Sequence, residues 1–465
     1  MFILLCNGIL IDPFNNKVIE NGGILYNEDG IILGIDTTDN LRKKAFELTE
    51  IEKKLDLKIV DVKGKTILPG IVCAHHHFYS SFARGLGIKN YNPKNFVDIL
   101  NQLWWRLDNQ LSKEEIYYSA VVALIDCLRH GVTTVIDHHE SQNFQLGSLE
   151  QIFHAVEFVG LRASLCLGVS DRFGKGEDGI KENENFLNKI NSLKFEEKNK
   201  TVDNTTKISS SLINAMVGLH ASFTVEDKTL EKISQLKEKY NVGIHTHCAE
   251  DLFDEEDCVK KYGIRVVERF KKFNLLGPKT ILAHCVHINE KEMEIISETE
   301  TNVVVNPESN MNNAVGCADV LKMLSYEINV GLGTDAMSSD MLSTARSLFL
   351  IQRHVKQDST VGFVESVDML FKNNLKIVEN IFGKEYNKFK VGQCLDAVVF
   401  NYIPPTPITD KNFYGHLLFG ILYSSVDTVI VNGKTLLKDG CIEHFSEKDV
   451  LKEARKVAEK FWEKF

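Results

Sequence analysis

Eight short apolar runs, each separated from the next by a longer stretch of helical character, constrain this chain more than any other feature. The runs are GIVCA (70–74), VTTVID (132–137), ASLCLGV (163–169), AMVGL (215–219), VGIHT (242–246), TILA (280–283), NVVV (302–305) and VGLG (330–333). Strands alternating with helices argue for βα units around a parallel sheet. Eight such units predict an α/β fold, a (β/α)8 TIM barrel. The connecting segments carry helix-start signals: Ser112 with Glu115 makes a capping box before a run that stops at Gly131, and Thr224 with Asp227 reads as a second N-terminus. A further helix is expected inside 178–200, trailed by the polar stretch KNKTVDNTTK, read as an exposed loop.

The two chain ends have a different texture. Residues 1–65 hold short apolar runs punctuated by Asn21-Gly22 and Asp29-Gly30, and the pattern returns at 395–400 and 426–431, followed by Asn432-Gly433 and Asp439-Gly440. These are hairpin signals. Both ends are therefore expected to share one small composite β-sandwich. The divisions are 1–65 for its first part, 66–385 for the barrel, 386–445 for its second part and 446–465 for a closing amphipathic helix.

Composition narrows the function classes. A net charge of −10 with no basic run removes the electrostatic footprint of a nucleic-acid or anionic-membrane binder. No stretch approaches the ~18 apolar residues of a membrane span. The apolar N-terminus MFILLCNGILIDP lacks a basic flank and a cleavage site, so it is read as a strand rather than a signal peptide. Ten cysteines without a CxxC pair read as reduced thiols and a cytoplasmic setting. A small-molecule substrate is the expected partner.

In such a barrel the site is built at the carboxyl ends of the strands. There stand His75-His76-His77 after the first run, His245 and His247 at the fifth, His284 at the sixth and Asp335 after the eighth. Residues i and i+2 of an extended segment face the same way, so His75 and His77 can share an ion while His76 points elsewhere. With 15 histidines in the chain, chance supplies about half an HxH, so the motif alone is weak. The coincidence of several such residues at strand ends is what carries weight. Three imidazoles and a carboxylate suit one divalent metal, zinc first and iron as the alternative. Such an ion lowers the pKa of water towards about 7. Glu250, three residues past His247, is placed to protonate a leaving nitrogen, Asp335 to accept a proton from water, and His284 to polarise the reacting centre.

These segments resemble the amidohydrolase superfamily. LPGIVCAHHH (68–77) is similar to its PGxxxxHxH signature, HTHCAE (245–250) to the HxxE motif of its deaminase and chlorohydrolase branch, AHCVHI (283–288) to its strand-six His and GLGTDA (331–336) to its strand-eight Asp. NPESN (306–310) resembles that branch's strand-seven substrate loop. More narrowly, HFYSSFARG (77–85), LWWRLD (103–108) and DHHES (137–141) resemble SsnA-type aminohydrolases. The resemblance implies metal ligands at His75, His77, His247 and Asp335, with Glu250, His284 and Asp335 as catalytic groups. It implies substrate contacts from Arg84, His220 and Asn310, and oligomer formation by family habit.

Members with two metals usually carry a carboxylated Lys at the end of strand four; here that end is Gly218-Leu219-His220, so one ion is expected. The expected reaction is hydrolytic deamination of an amino-substituted heterocycle or amidine-like compound. Ring-amide or C–Cl hydrolysis by the same machinery, or a catalytically silent binding relative, are the alternatives. His76, His138 and His139 can bind substrate or a second ion, but are expected first as solvent-facing or hydrogen-bonded structural residues; Trp104 and Trp105 are pocket wall or core, with core preferred; and Cys248 and Cys285 are expected as inert thiols in the barrel wall.

Overall fold

A computed structural model describes residues 1–52, 56–199 and 210–465. Eight parallel barrel strands follow in chain order: Ile71–His76, Val132–His139, Arg162–Val169, Val217–Leu219, Ile244–Cys248, Ile281–His284, Asn302–Val305 and Val330–Leu332. Every neighbouring pair hydrogen-bonds in sequence order. The last strand returns to the first through a His76–Asp335 bridge and through Thr334 and Asp335 N–H groups that both donate to the His75 carbonyl. Strand four has a preceding segment, Ile213–Ala215, that pairs separately with strand three.

The interior of the barrel holds an apolar layer: Ala74, Ile136, Cys166, Met216, Ile281 and Val304 pack together, with Ile377 against them. Outward-facing residues such as Val135, Leu165, Val217, Ile244, Leu282 and Val303 pack on the surrounding helices. Burying each such aliphatic side chain contributes about 1.5–3 kcal/mol, and this two-sided burial is why the strands read as continuous apolar runs. The capping box at Ser112 and Glu115 starts the helix Lys113–Arg129 as the sequence indicates. Thr224 does not start one. The helix Asp227–Tyr240 begins after Glu226, and Thr224 instead closes a short turn and bonds His220. The helix expected within 178–200 spans Gly176–Asn199. The polar loop read into KNKTVDNTTK falls mostly outside the described residues.

Both chain ends build one continuous sheet of nine strands. Thr66–Pro69 lies at its centre, parallel to Phe2–Asp12 and antiparallel to Ala397–Phe400. The sheet curls until Ile31 bridges Cys394, which encloses Leu5, Leu10, Ile24, Ile67, Ala397 and Val399 in a common core. Asp29-Gly30, Asn432-Gly433 and Asp439-Gly440 are the expected turns, whereas Asn21-Gly22 sits inside the strand Lys17–Asn27, where the ladder shifts register. The helix Thr38–Glu52, unanticipated from the sequence, covers Phe2, Leu4, Cys6 and Leu25 with Leu41 and Ala45. The closing helix Glu447–Trp462 packs on the barrel through Phe461 and through the Trp462 indole, which donates to the Phe82 carbonyl. Among the described residues no helix is long and apolar enough to cross a membrane.

Candidate active site

The carboxyl ends of the strands bring His75, His77, His247, His284 and Asp335 to one point. A shift in the pairing of strand one between Cys73 and His76 breaks the alternation. Ala74 therefore joins the interior apolar layer while His75, directly above it, also turns inward, its Nδ1 2.8 Å from His245 Nε2. His284 and Asp335 reach the same point by another route: both have left-handed backbone, φ 76° and 54°. Strain of this kind in non-glycine residues persists where the surroundings over-determine it, and here it aims two polar side chains.

The distances describe a convergent donor set. Asp335 Oδ1 lies 3.0 Å from His77 Nε2 and 3.6 Å from His75 Nε2, and Asp335 Oδ2 lies 3.8 Å from His284 Nε2. The Nε2 atoms of His77 and His247 are 3.1 Å apart. The remaining nitrogens are tied down: His77 Nδ1 donates to the His138 carbonyl, His247 Nδ1 to the His220 carbonyl at 2.7 Å, and His284 Nδ1 to Asn310 Oδ1 at 2.8 Å. Fixing one ring nitrogen on an acceptor leaves the other as a bare lone pair, the second-sphere arrangement of metal-binding imidazoles. His75 Nε2 is buried with no hydrogen-bond partner.

Charge follows the same logic. Burial opposes protonation of His77, but the hydrogen bond to Asp335 and the Asp335 charge outweigh it and raise His77 to about 9. Burial alone would raise the Asp335 carboxyl; hydrogen bonds to His75 and His77 hold it well below the usual carboxylate range. Burial and the neighbouring rings hold His75 and His247 well below the usual histidine range, so the point of convergence offers neutral imidazoles beside a carboxylate, a donor set that fits a divalent metal ion. Glu250 stands beside it, Oε2 3.6 Å from His284 Nε2 and Oε1 accepting from Asn313 Nδ2 at 3.2 Å. Burial, reinforced by the Asp335 charge, pushes the Glu250 carboxyl up.

The cluster floors a cleft that opens to solvent. One wall is apolar, formed by Phe96, Leu100, Trp104, Trp105, Phe223 and Met337. Trp104 and Trp105 are half-buried, lining the cleft while packing on Phe96 and Leu100, and Trp104 ends a π-helical turn, Leu100–Trp104. The other wall carries Asp108 and Glu140, both buried and both accepting from Arg172 Nη2 at 2.8 and 3.3 Å. Arg172 also stacks over Trp105. Burial pushes Asp108 up to about 6 and Glu140 to about 8, against the pull of Arg172.

Sequence reasoning missed Arg172, Glu140 and Asp108. Arg172 and Glu140 follow the ends of strands three and two by three residues and one, so the same scan of strand ends holds them; Asp108 lies far from any strand. His220 lines the cleft. Arg84 does not: its side chain is 61% exposed and pairs with Asp126, in a neighbouring depression. Asn310 is buried and contacts His284 rather than the opening. His76 and His139 are buried and bonded to Ser339 and Ser141. Cys248 and Cys285 are buried, and burial pushes the Cys248 thiol up, as inert wall residues require.

With this geometry in hand, comparison with known proteins is direct. The amidohydrolase family matches residues 66–436. The chain belongs to the amidohydrolase family. It is 30% identical over 457 residues to a 5-methylthioadenosine/S-adenosylhomocysteine deaminase of Halothermothrix orenii, covering 96% of this chain and 95% of that one. It is 28% identical to a 5'-deoxyadenosine deaminase of Methanobrevibacter smithii, covering 99% and 98%. Among solved structures, an adenosine deaminase from Xanthomonas campestris with bound zinc superposes with a TM-score of 0.80 at 19% identity, covering 99% and 98%. As an amidohydrolase the chain is a hydrolase acting on carbon–nitrogen bonds.

Proposed function

We propose that this protein deaminates an unphosphorylated amino-purine nucleoside, replacing the ring amino group by oxygen and releasing ammonia, with one divalent ion, zinc, held by His75, His77, His247 and Asp335. The observation that carries the reading is the placement of Glu250 and Asp335 on either side of His284 Nε2, at 3.6 and 3.8 Å, on the floor of an aromatic-walled cleft. The bound ion supplies a water acidic enough to lose a proton near neutral pH.

This chain's own residues do the rest. Asp335 takes the proton from water as oxygen adds to the amino-bearing ring carbon. Glu250, whose carboxyl burial pushes up, protonates the ring nitrogen; the proton held by Asp335 then passes to the leaving amino nitrogen while the added hydroxyl returns its proton to Glu250, so water and amine become a ring carbonyl and ammonia. His284, oriented by Asn310, donates to or accepts from the oxygen being added. Trp104, Trp105 and Phe223 offer flat faces to a heterocycle.

The class of nucleoside follows from charge. Asp108, Glu140, Glu250, Asp251, Asp254 and Asp335 all line the cleft, and Arg172 already serves two of them. Such a wall accepts from hydroxyl and amino donors, and among the described residues that line it there is no lysine or arginine to pair with a phosphate. The relatives named for adenosine-type deamination support the same class. The segments with SsnA-type resemblance supply Tyr79, Trp104, Trp105, Asp108 and Glu140 to this cleft. All ten thiols are unpaired, which suits the cytoplasm.

The test is ammonia release by zinc-loaded protein from 5'-deoxyadenosine, 5-methylthioadenosine, adenosine and adenosine monophosphate. Turnover of the unphosphorylated compounds with none for the monophosphate is expected. No ammonia from any of them would overturn the reading, and two metal equivalents per chain would overturn the single-ion part.

A further inference from the structure

The short helix Pro307–Asn312 follows barrel strand seven, and Asn313 closes it, its N–H donating to the Ser309 carbonyl at 2.8 Å. Side chains at i and i+4 of a helix lie on one face, so Ser309 and Asn313 point the same way. That face lines the cleft alongside Glu250 and Asp335.

A chain of contacts joins the four residues. The buried Ser309 hydroxyl donates to Asp335 Oδ2. Its oxygen still has lone pairs with which to accept, and Asn313 Nδ2 stands 3.5 Å from it. The same nitrogen carries a second hydrogen, for which Glu250 Oε1 is the acceptor at 3.2 Å. Asn312 sets the orientation of the amide, since its Nδ2 donates to Asn313 Oδ1 at 3.1 Å. Turned the other way, the Asn313 amide would put nitrogen against the Asn312 nitrogen and lose its donors to Ser309 and Glu250.

The chain divides the oxygens of each carboxyl group. Asp335 Oδ1 faces His75 and His77, while Oδ2, the oxygen that Ser309 holds, lies 3.8 Å from His284 Nε2. Asn313 takes Glu250 Oε1, which leaves Oε2 turned to the same Nε2 at 3.6 Å. In the reaction proposed above the two carboxyl groups serve one ring in succession, so rate depends on their keeping a fixed spacing and tilt. Asn313 lies three residues past the NPESN segment, outside the motif that marks this loop in the sequence.

We propose that Asn313 is a positioning residue for the deamination, its amide tying Glu250 directly and Asp335 through Ser309, so that both carboxyl groups stay aimed at one reacting ring. The inference rests on the reading of those two groups as the proton carriers.

The experiment measures steady-state ammonia release by full-length protein with zinc in excess, on whichever of the four compounds above turns over fastest. It compares wild type with Asn313→Leu, Ser309→Ala, the double variant and Glu250→Gln. Leu keeps the shape of Asn without its donors; Asn313→Ala carries the same expectation if the Leu variant does not fold. Asn313→Leu should lower kcat about 10–100-fold with KM within about twofold, the signature of lost alignment rather than lost substrate binding. Thermal unfolding and cobalt(II) affinity should stay at wild-type values, which a role in holding the fold or the metal would not allow. Because Ser309 and Asn313 act as one chain, their losses should not multiply: kcat of the double variant should exceed the product of the single-variant ratios by about fivefold or more. A wild-type kcat in folded Asn313→Leu, with Glu250→Gln inactive, would overturn the proposal and leave the reading of the carboxyl groups standing. A rise in KM alone would overturn it by making Asn313 a substrate contact, and losses that multiply would overturn it by showing two independent contacts. A near-normal kcat in Glu250→Gln would sink both.

Discussion

At the amino end of the barrel, Arg162 and Asp396 are as fully buried as His75 and His284 are at the carboxyl end. Their surroundings differ. The Arg162 guanidinium bonds Asp396, Thr134 and the Ser211 carbonyl; Asp396 also accepts from the Asn432 and Asn387 N–H groups; Asn387 bonds Thr133, Thr134 and the Gly70 carbonyl. The buried side-chain nitrogens and oxygens of Arg162, Asp396, Thr133, Thr134 and Asn387 all have partners, and only the Asn432 Oδ1 at the edge of this network has none. This network ties barrel strands one to three to the sheet made by the chain ends. At the other end His75 Nε2, His138 Nδ1, His139 Nδ1, Asp137 Oδ2 and Glu140 Oε1 are buried without partners, beside residues held in left-handed backbone. A satisfied buried network specifies structure, whereas unsatisfied groups and strain gathered at one place are retained for a ligand.

The comparison breaks most visibly at Glu250. Glu250→Gln is nearly isosteric and should lower kcat about 10²–10⁴-fold while metal content and thermal stability stay at wild-type values. Parallel turnover and metal analysis check it, and a near-normal kcat would remove Glu250 from proton transfer. The opposite result is expected at the other end. Arg162→Met strands the Asp396 charge and should cost about 3–5 kcal/mol of stability, with cobalt affinity of the folded fraction unchanged. Adding Asp396→Leu should restore much of that loss, because removing both charges leaves no uncompensated ion. Urea unfolding of the single and double variants measures both steps.

Asn310 sharpens the line between holding and reacting. It does not line the cleft but accepts from His284 Nδ1, which leaves the lone pair of that ring on Nε2. Asn310→Ala should lower kcat about tenfold, the worth of one buried hydrogen bond, with KM and metal content unchanged. A change in KM without kcat would place Asn310 against the substrate instead.

Much of this was legible in the chain because two periodicities carry it. Runs buried on both faces announce the barrel strands, and the polar residues at and just past their ends announce the cluster of His75, His77, His247, His284 and Asp335. The misses have physical reasons. Two-residue alternation groups His75 with His77, and both reach Asp335 Oδ1, but nothing in the sequence marks the register shift that lets Ala74 and His75 both face inward. Trp104 and Trp105 look like core, yet both also line the cleft, at and just past the end of a π-helical turn. Asn21-Gly22 has the dipeptide of a hairpin turn but absorbs a bulge within a strand. Asp108 is brought to the site by a segment between strand one and the helix that follows, and its meaning comes only from Arg172, 64 residues away.

The smallest effect is expected where the sequence reading and the structure part company. The segment HFYSSFARG places Arg84 seven residues past His77, near enough in the chain to suggest a substrate contact. In the fold, the 3-10 turn Phe78–Ala83 carries Arg84 past the cleft wall, so that its guanidinium meets Asp126 at 2.6 Å among exposed residues. An exposed ion pair of this kind contributes about 0–1 kcal/mol. Arg84→Ala should therefore leave kcat/KM within about twofold of wild type and stability within about 0.5 kcal/mol. A tenfold or larger fall in kcat/KM would mean that the turn moves when substrate binds and swings the guanidinium across Met337 and Trp104, which stand between the two depressions. That motion should then be suppressed by anchoring the turn, and Trp462, whose indole holds the Phe82 carbonyl from the closing helix at 2.8 Å, is the anchor already present. Trp462→Phe would loosen it, so a wild-type kcat/KM in both variants would show that the cleft works without this segment moving.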